Sequence, residues 1–201
     1  MKTQIQNPAS TGRVIGAAGL LAASLLVAGC VVTSVYPYYT EKDLVFDPAV
    51  VGDWADAGQT NNPAEFIRIE RAGEKGYWVM AVGGDETNRV ELHLFRLQEN
   101  LFLDSCPTNR SLDFLPVHQV SKAIWRGPVM ETANLDYDWL AKLLEQNPKA
   151  VRHLVLPETS GDDQKGRIVL TADTQELQRF IIKHVNDTNA WKQPTQWKRR
   201  A

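Results

Sequence analysis

Along most of the chain beyond residue 45, apolar and polar positions alternate in steps of two, the period of a half-buried strand. In Glu65-Phe66-Ile67-Arg68-Ile69-Glu70 the two isoleucines fall on one face and Arg68 and Glu70 on the other. Gly73-Glu74-Lys75-Gly76 reads as a turn into Tyr77–Val82, and Gly83-Gly84-Asp85-Glu86 as the next turn. Val90, Leu92 and Leu94 alternate with Glu91 and His93, and Asn100 opens a tight return into Leu101–Asp104. Val50–Ala55 precedes this series as a first strand. Val117–Trp125 and Val129–Leu135 follow it, joined by the Arg126-Gly127-Pro128 turn, and Val151–Leu156 and Arg167–Leu170 come last. Pro107–Pro116 and Glu158–Gly166 are loops by composition.

The period changes to that of a helix twice. Asp136 is placed as an N-cap before Trp139, Leu140, Leu143 and Leu144, and Asn147-Pro148 stops the run. Asp173 caps a second helix, with Glu176 placed for a capping box and Leu177, Phe180, Ile181 and His184 along one face. The pattern therefore predicts a mainly β domain of about nine strands with two helices. A sheet of that size closes into an antiparallel β-barrel or splits into a sandwich. No internal repeat and no second core are visible. Residues 187–201 read as a polar, flexible tail, leaving 46–186 as the globular domain.

The first 45 residues follow a different rule. Lys2 and Arg13 precede an apolar run of 15 residues, Val14–Ala28. That is short of the roughly 20 needed to span a bilayer and suits the apolar region of a signal peptide. It ends in Val27-Ala28-Gly29-Cys30, which resembles the bacterial lipobox: an aliphatic residue, two small residues, then the cysteine that accepts diacylglycerol. The resemblance implies cleavage after residue 29, lipid on Cys30 and a stable membrane anchor. Val31 is not aspartate, so the sorting rule of such lipoproteins places the anchor on the periplasmic face of the outer membrane if the cell is Gram-negative. Residues 30–45 are then the lipidated cysteine and an extended tether. Tyr36, Tyr38 and Tyr39 either sit at headgroup level or pack on the domain.

Charge and cysteines narrow the classes. Lys2 and Arg13 are the only charges before residue 30, so the chain beyond carries 20 Lys and Arg against 24 Asp and Glu, a net −4. An acidic domain has no electrostatic footprint for nucleic acid. With Cys30 lipidated, Cys106 has no partner, so a disulfide framework is excluded.

Two further resemblances enter here. Gly52-Asp53-Trp54 is similar to the Gly-x-Trp that begins the first strand of lipocalins and other calycin barrels. The resemblance implies a tryptophan closing the barrel floor beneath an arginine from a late strand, a part for which Arg167 is placed. Separately, 39–54, Leu101–Asp104, Leu115–His118, Asp138–Leu140 and 170–180 look like segments of a family of uncharacterised bacterial lipoproteins. That likeness implies an anchored β-rich domain and carries no functional residues with it.

Candidate chemistry is sparse. Cys106 and His118 flank one loop, where an imidazole can activate a thiol and Asp104 can orient the imidazole. The plain alternative is a small apolar cysteine and a hydrogen-bonded histidine. His93, His118, His153 and His184 lack metal-ligand spacing, and no cofactor motif is present. Gly83-Gly84-Asp85-Glu86 resembles a cyclase signature in letters only, and Gly161-Asp162-Asp163 lacks the alternating ligands of a calcium loop. Trp139 and Leu143 form either a partner-binding face or a packing face. Trp191, Trp197, Lys198, Arg199 and Arg200 either touch a membrane surface or form a loose end. The expectation is a non-enzymatic binding or accessory module anchored at the cell envelope, taking an apolar ligand or an envelope protein. The alternatives are a Cys/His-dependent envelope hydrolase and a structural subunit of an envelope complex.

Overall fold

The computed structural model describes residues 31–58, 65–83, 89–108, 117–126, 128–157 and 166–200. The signal-peptide region, Cys30, Gly84-Asp85-Glu86 and Gly161-Asp162-Asp163 lie outside these residues.

Eight strands form a closed barrel. Six of them follow one another as a meander: β3 (Phe66–Ala72), β4 (Gly76–Val82), β5 (Arg89–Leu97), β6 (Asn100–Pro107), β7 (Gln119–Arg126) and β8 (Val129–Asn134). Each pairs antiparallel with the next, as the alternating pattern and short turns require. β2 (Gly52–Asp56) pairs with β3. The closing strand is β11 (Thr195–Arg199), which lies between β2 and β8 and pairs antiparallel with both.

Closure decides between barrel and sandwich. Without β11, both β2 and β8 would present a row of unpaired backbone groups. It also corrects two expectations. Residues 187–201 are not a flexible tail: Ala190 and Trp191 are buried, and 195–199 are the strand that seals the barrel. Nor is the 30–45 segment simply an extended tether over its described part, 31–45. β1 (Thr33–Ser34) is buried and pairs parallel with β10 (Arg167–Leu170). β10 pairs antiparallel with β9 (His153–Leu156), which makes a separate three-stranded sheet ordered β1-β10-β9. The expected nine strands are all present, and β1 and β11 are added to them.

The two helices lie where the caps predict. α1 spans Tyr137–Gln146; Asp136 accepts from the Trp139 amide at 2.7 Å, and Asn147 ends the helix. α2 spans Thr174–Lys183, with Asp173 accepting from the Glu176 amide at 2.9 Å. Only half of the expected capping box forms. The Glu176 carboxylate turns to Arg152 instead, accepting from its backbone N at 3.1 Å and its Nε at 2.7 Å.

Strand alternation then divides the apolar residues into two cores. Ile67, Ile69, Val79, Val90, Leu92, Leu94, Leu103 and Met130 point into the barrel. Phe95, Phe102 and Val120, one residue out of phase, point outward beneath Leu140, Leu144, Leu177, Phe180 and Ile181 of the helices and Ile168 and Leu170 of β10. The helices and small sheet thus cover one outer wall, and the barrel interior remains a separate compartment.

Candidate functional site

One end of that compartment is sealed. Trp54 is 2% exposed, and its indole N–H donates to the Val50 carbonyl at 2.9 Å. The guanidinium of Arg199 lies over the Trp54 ring, 5.0 Å from its centre, and Nη2 donates to the Ala49 carbonyl at 2.5 Å. Gly52 explains the first position of the Gly-x-Trp triplet. Its φ is +143°, and a Cβ there would meet Arg199 Nη1 at 3.0 Å. The segment before β2 completes the floor: Phe46 stacks on Tyr77 at 5.2 Å, and the Tyr77 hydroxyl bonds both the amide and the carbonyl of Asp47. Burial raises the Tyr77 pKa above its ordinary value.

The arginine of this floor is not the one expected. Arg167 belongs to β10, outside the barrel, and pairs across to Leu156. Arg199, in the segment read as a loose tail, is level with Trp54 in the β11–β2 ladder. The only sequence signal was an arginine two positions after a tryptophan, which a two-residue period places on the same face. Trp78 faces outward, with the Arg89 guanidinium 4.7 Å over its ring.

The other end is polar along one wall. Moving from floor to mouth along β6, β7 and β8, inward positions change from Leu103, Ala123 and Met130 to Ser105, Gln119, Ser121, Thr132 and Asn134. Ser121 Oγ donates to Asn134 Oδ1 at 2.5 Å across the β7–β8 pair. The connections at this end, 59–64, 84–88 and 109–116, lie outside the described residues. Deeper in, Trp125 shares the inward face with Met130, and its buried indole N–H has no hydrogen-bond partner among the described residues. The β6–β8 wall is therefore graded, apolar at the floor and lined by hydroxyls and amides towards the mouth, while the facing β3–β5 wall stays apolar up to Ile67 and Val90.

The sequence-derived trio lies on the outer wall. Asp104 is 1% exposed; Oδ1 is 2.7 Å from His118 Nδ1, and Oδ2 accepts from the Tyr38 amide at 2.9 Å. The histidine and aspartate are thus together. Cys106 makes its hydrogen bond to the Pro107 carbonyl at 3.8 Å, and none joins it to His118 among the described residues. Burial first, then the negative potential of Asp104 and Glu91, pushes the Cys106 thiol up to about 11. A nucleophilic cysteine needs the opposite shift. The Asp104–His118 pair instead pins the N-terminal segment to β6: His118 also exchanges backbone hydrogen bonds with Ser34, 2.8 Å each way.

The remaining candidates have structural partners. Tyr38 is fully buried, and burial together with Asp104 raises its pKa; its hydroxyl has no partner among the described residues. Tyr39 bonds His93 Nδ1 at 3.1 Å, while Tyr36 is 48% exposed. His153 Nδ1 lies 3.0 Å from the Val151 carbonyl. Trp139 packs on Phe180 of α2 and on His184, which caps that helix, and donates to Asp187 at 3.1 Å, so it joins the two helices. No group of three or more potential metal-ligating side chains occurs among the described residues. No helix among them is long and apolar enough to cross a membrane.

Together these features define a class: a closed eight-stranded antiparallel barrel, sealed at one end by a Trp–Arg pair and flanked by a helix-and-sheet layer. No family model, no curated protein and no solved structure matches the chain.

Proposed function

We propose that the protein is a lipid-anchored, non-enzymatic binding module of the bacterial envelope, whose barrel takes a small amphipathic ligand through its polar end. The observation that carries this reading is the graded β6–β8 wall facing an apolar β3–β5 wall. An eight-stranded barrel is just wide enough to be filled by side chains or to hold one small ligand. A floor of Trp54, Leu103 and Met130 below a rim of Ser105, Ser121 and Asn134 suits a molecule with an apolar body and a polar head. The buried Trp125 N–H offers a donor to an acceptor oxygen. The Trp54–Arg199 floor supports the calycin resemblance on geometry, and the lipobox-like Val27–Cys30 supports the anchor. The raised Cys106 thiol favours this reading over the hydrolase.

Mass spectrometry of the full chain produced in a bacterium tests both halves. An N-terminal peptide beginning at lipidated Cys30, with a defined extra mass released from the native protein by solvent, is the expected result. An intact N-terminus with unmodified Cys30 overturns the anchor. An apo mass overturns the ligand and leaves a protein-binding module.

A further inference from the structure

The three-stranded sheet ends in a four-residue edge strand, β9, followed by Pro157. β9 pairs with β10 on one side and with no strand on the other among the described residues. Exposed edges are ordinarily blunted by charge or proline, because their unpaired backbone recruits other chains. Here the edge carries Leu154, Val155 and Leu156, exposed by 56%, 59% and 44%. These are three of the five large apolar side chains exposed among the described residues, and they are consecutive. Isolated exposed apolar residues are ordinary, whereas a contiguous run marks a contact surface. Pairing across the sheet sets their directions. Val155 lies opposite Ile168 on the core side, so Leu154 and Leu156 point to the outer face.

The same sheet carries the start of the described chain. Thr33 is level with Val169, and Val169 with Leu154. β1 runs parallel to β10, so the chain before Thr33 comes from the end of the sheet where Arg167 faces Leu156. Cys30 lies three residues before Thr33 and reaches no more than about 10 Å beyond it. Two strand spacings, about 10 Å, separate β1 from β9. The Leu156 end of β9 is thus within reach of a lipid carried on Cys30.

We infer that β9 is a second membrane contact, with Leu154 and Leu156 lying in the bilayer surface next to the lipid anchor and Val155 at its margin. The inference rests on the anchor proposed above. A single tethered cysteine leaves the domain free to tumble, and a second apolar contact fixes its orientation. The occupant is the bilayer because the chain's own exit brings this edge within reach of it.

Lipidated full-length protein carrying Cys106→Ala and Val155→Cys is labelled with an environment-sensitive fluorophore. It is reconstituted in phosphatidylethanolamine–phosphatidylglycerol vesicles containing spin-labelled quencher lipid. The control label is at Glu74→Cys in the β3–β4 turn, at the floor end of the barrel, whereas β1 bonds His118 at the mouth end. The expected result is strong quenching at 155, little at 74, and loss of the quenching at 155 when Leu154→Ser and Leu156→Ser are added. Lipid present on Cys30 with no quenching at 155 overturns the membrane contact and leaves the anchor standing. Self-quenching between labels without lipid quenching shows that a second copy covers the edge, and also overturns it. Absence of lipid on Cys30 removes the anchor reading and this inference together.

Discussion

Replacing Arg199 with alanine tests the barrel closure directly. The side chain makes two contacts that alanine cannot: the guanidinium over Trp54 at 5.0 Å and the hydrogen bond to the Ala49 carbonyl. Arg199 is itself exposed, so the cation–π contact falls at the low end of its range, about 0.5–1 kcal/mol. A hydrogen bond from a charged donor adds about 1.5 kcal/mol. The expected loss is about 2 kcal/mol, which for a domain of this size lowers Tm by about 4–8 °C. Urea unfolding followed by tryptophan fluorescence, with circular dichroism as a second probe, reads it. Arg199→Lys keeps the charge but loses the planar stack and the fork, and falls between wild type and alanine. Arg167→Ala, on the exposed side of β10, stays within about 0.5 kcal/mol of wild type. A double-mutant cycle with Trp54→Leu isolates a coupling of about 1 kcal/mol. If Arg199→Ala stays within about 0.5 kcal/mol of wild type, or Arg167→Ala costs as much as Arg199→Ala, the assignment of the floor arginine is refuted.

Three further outcomes are expected. With its thiol at about 11 rather than 9.0, Cys106 carries on the order of 100-fold less thiolate at pH 8, so iodoacetamide modifies the folded protein correspondingly more slowly than the urea-unfolded chain; equal rates would remove the case against a reactive cysteine. Asp104→Ala strands the Tyr38 amide and His118 Nδ1 and lowers stability by about 3 kcal/mol, read from the urea midpoint, while Asp104→Asn retains an acceptor and loses less. His184 is held below its ordinary pKa by burial and by Lys183, against Asp187, so the unfolded chain binds the proton first as the pH falls; the stability contribution is full above about 6.5 and is lost below it. Thermal melts from pH 7.5 to 5 should therefore fall less steeply for His184→Gln than for wild type, and parallel slopes would disprove the assignment.

The meander, both helices and their caps were legible in the sequence because each is a local object. A hairpin needs an alternating run and a turn within a few residues. A helix needs a cap and a stripe, as Asp136 and Asp173 with their apolar faces supply. The pairing of Asp104 with His118 was also legible, through the loop that joins their strands. What the sequence could not decide was set by partners distant along the chain. Thr195-Gln196-Trp197-Lys198-Arg199 reads as polar because its inward residues are Thr195, Trp197 and Arg199, and its strand character comes from the two edges it joins, β2 and β8. Thr33-Ser34 is too short to register as a strand and exists as one only against β10. Cys106 sits beside a histidine in sequence, yet its thiol is governed by burial and by the charges of Asp104 and Glu91. Periodicity fixes which face a residue takes; closure, the identity of the arginine over Trp54 and the exposed edge of β9 depend on which strands meet, and only the tertiary structure decides that.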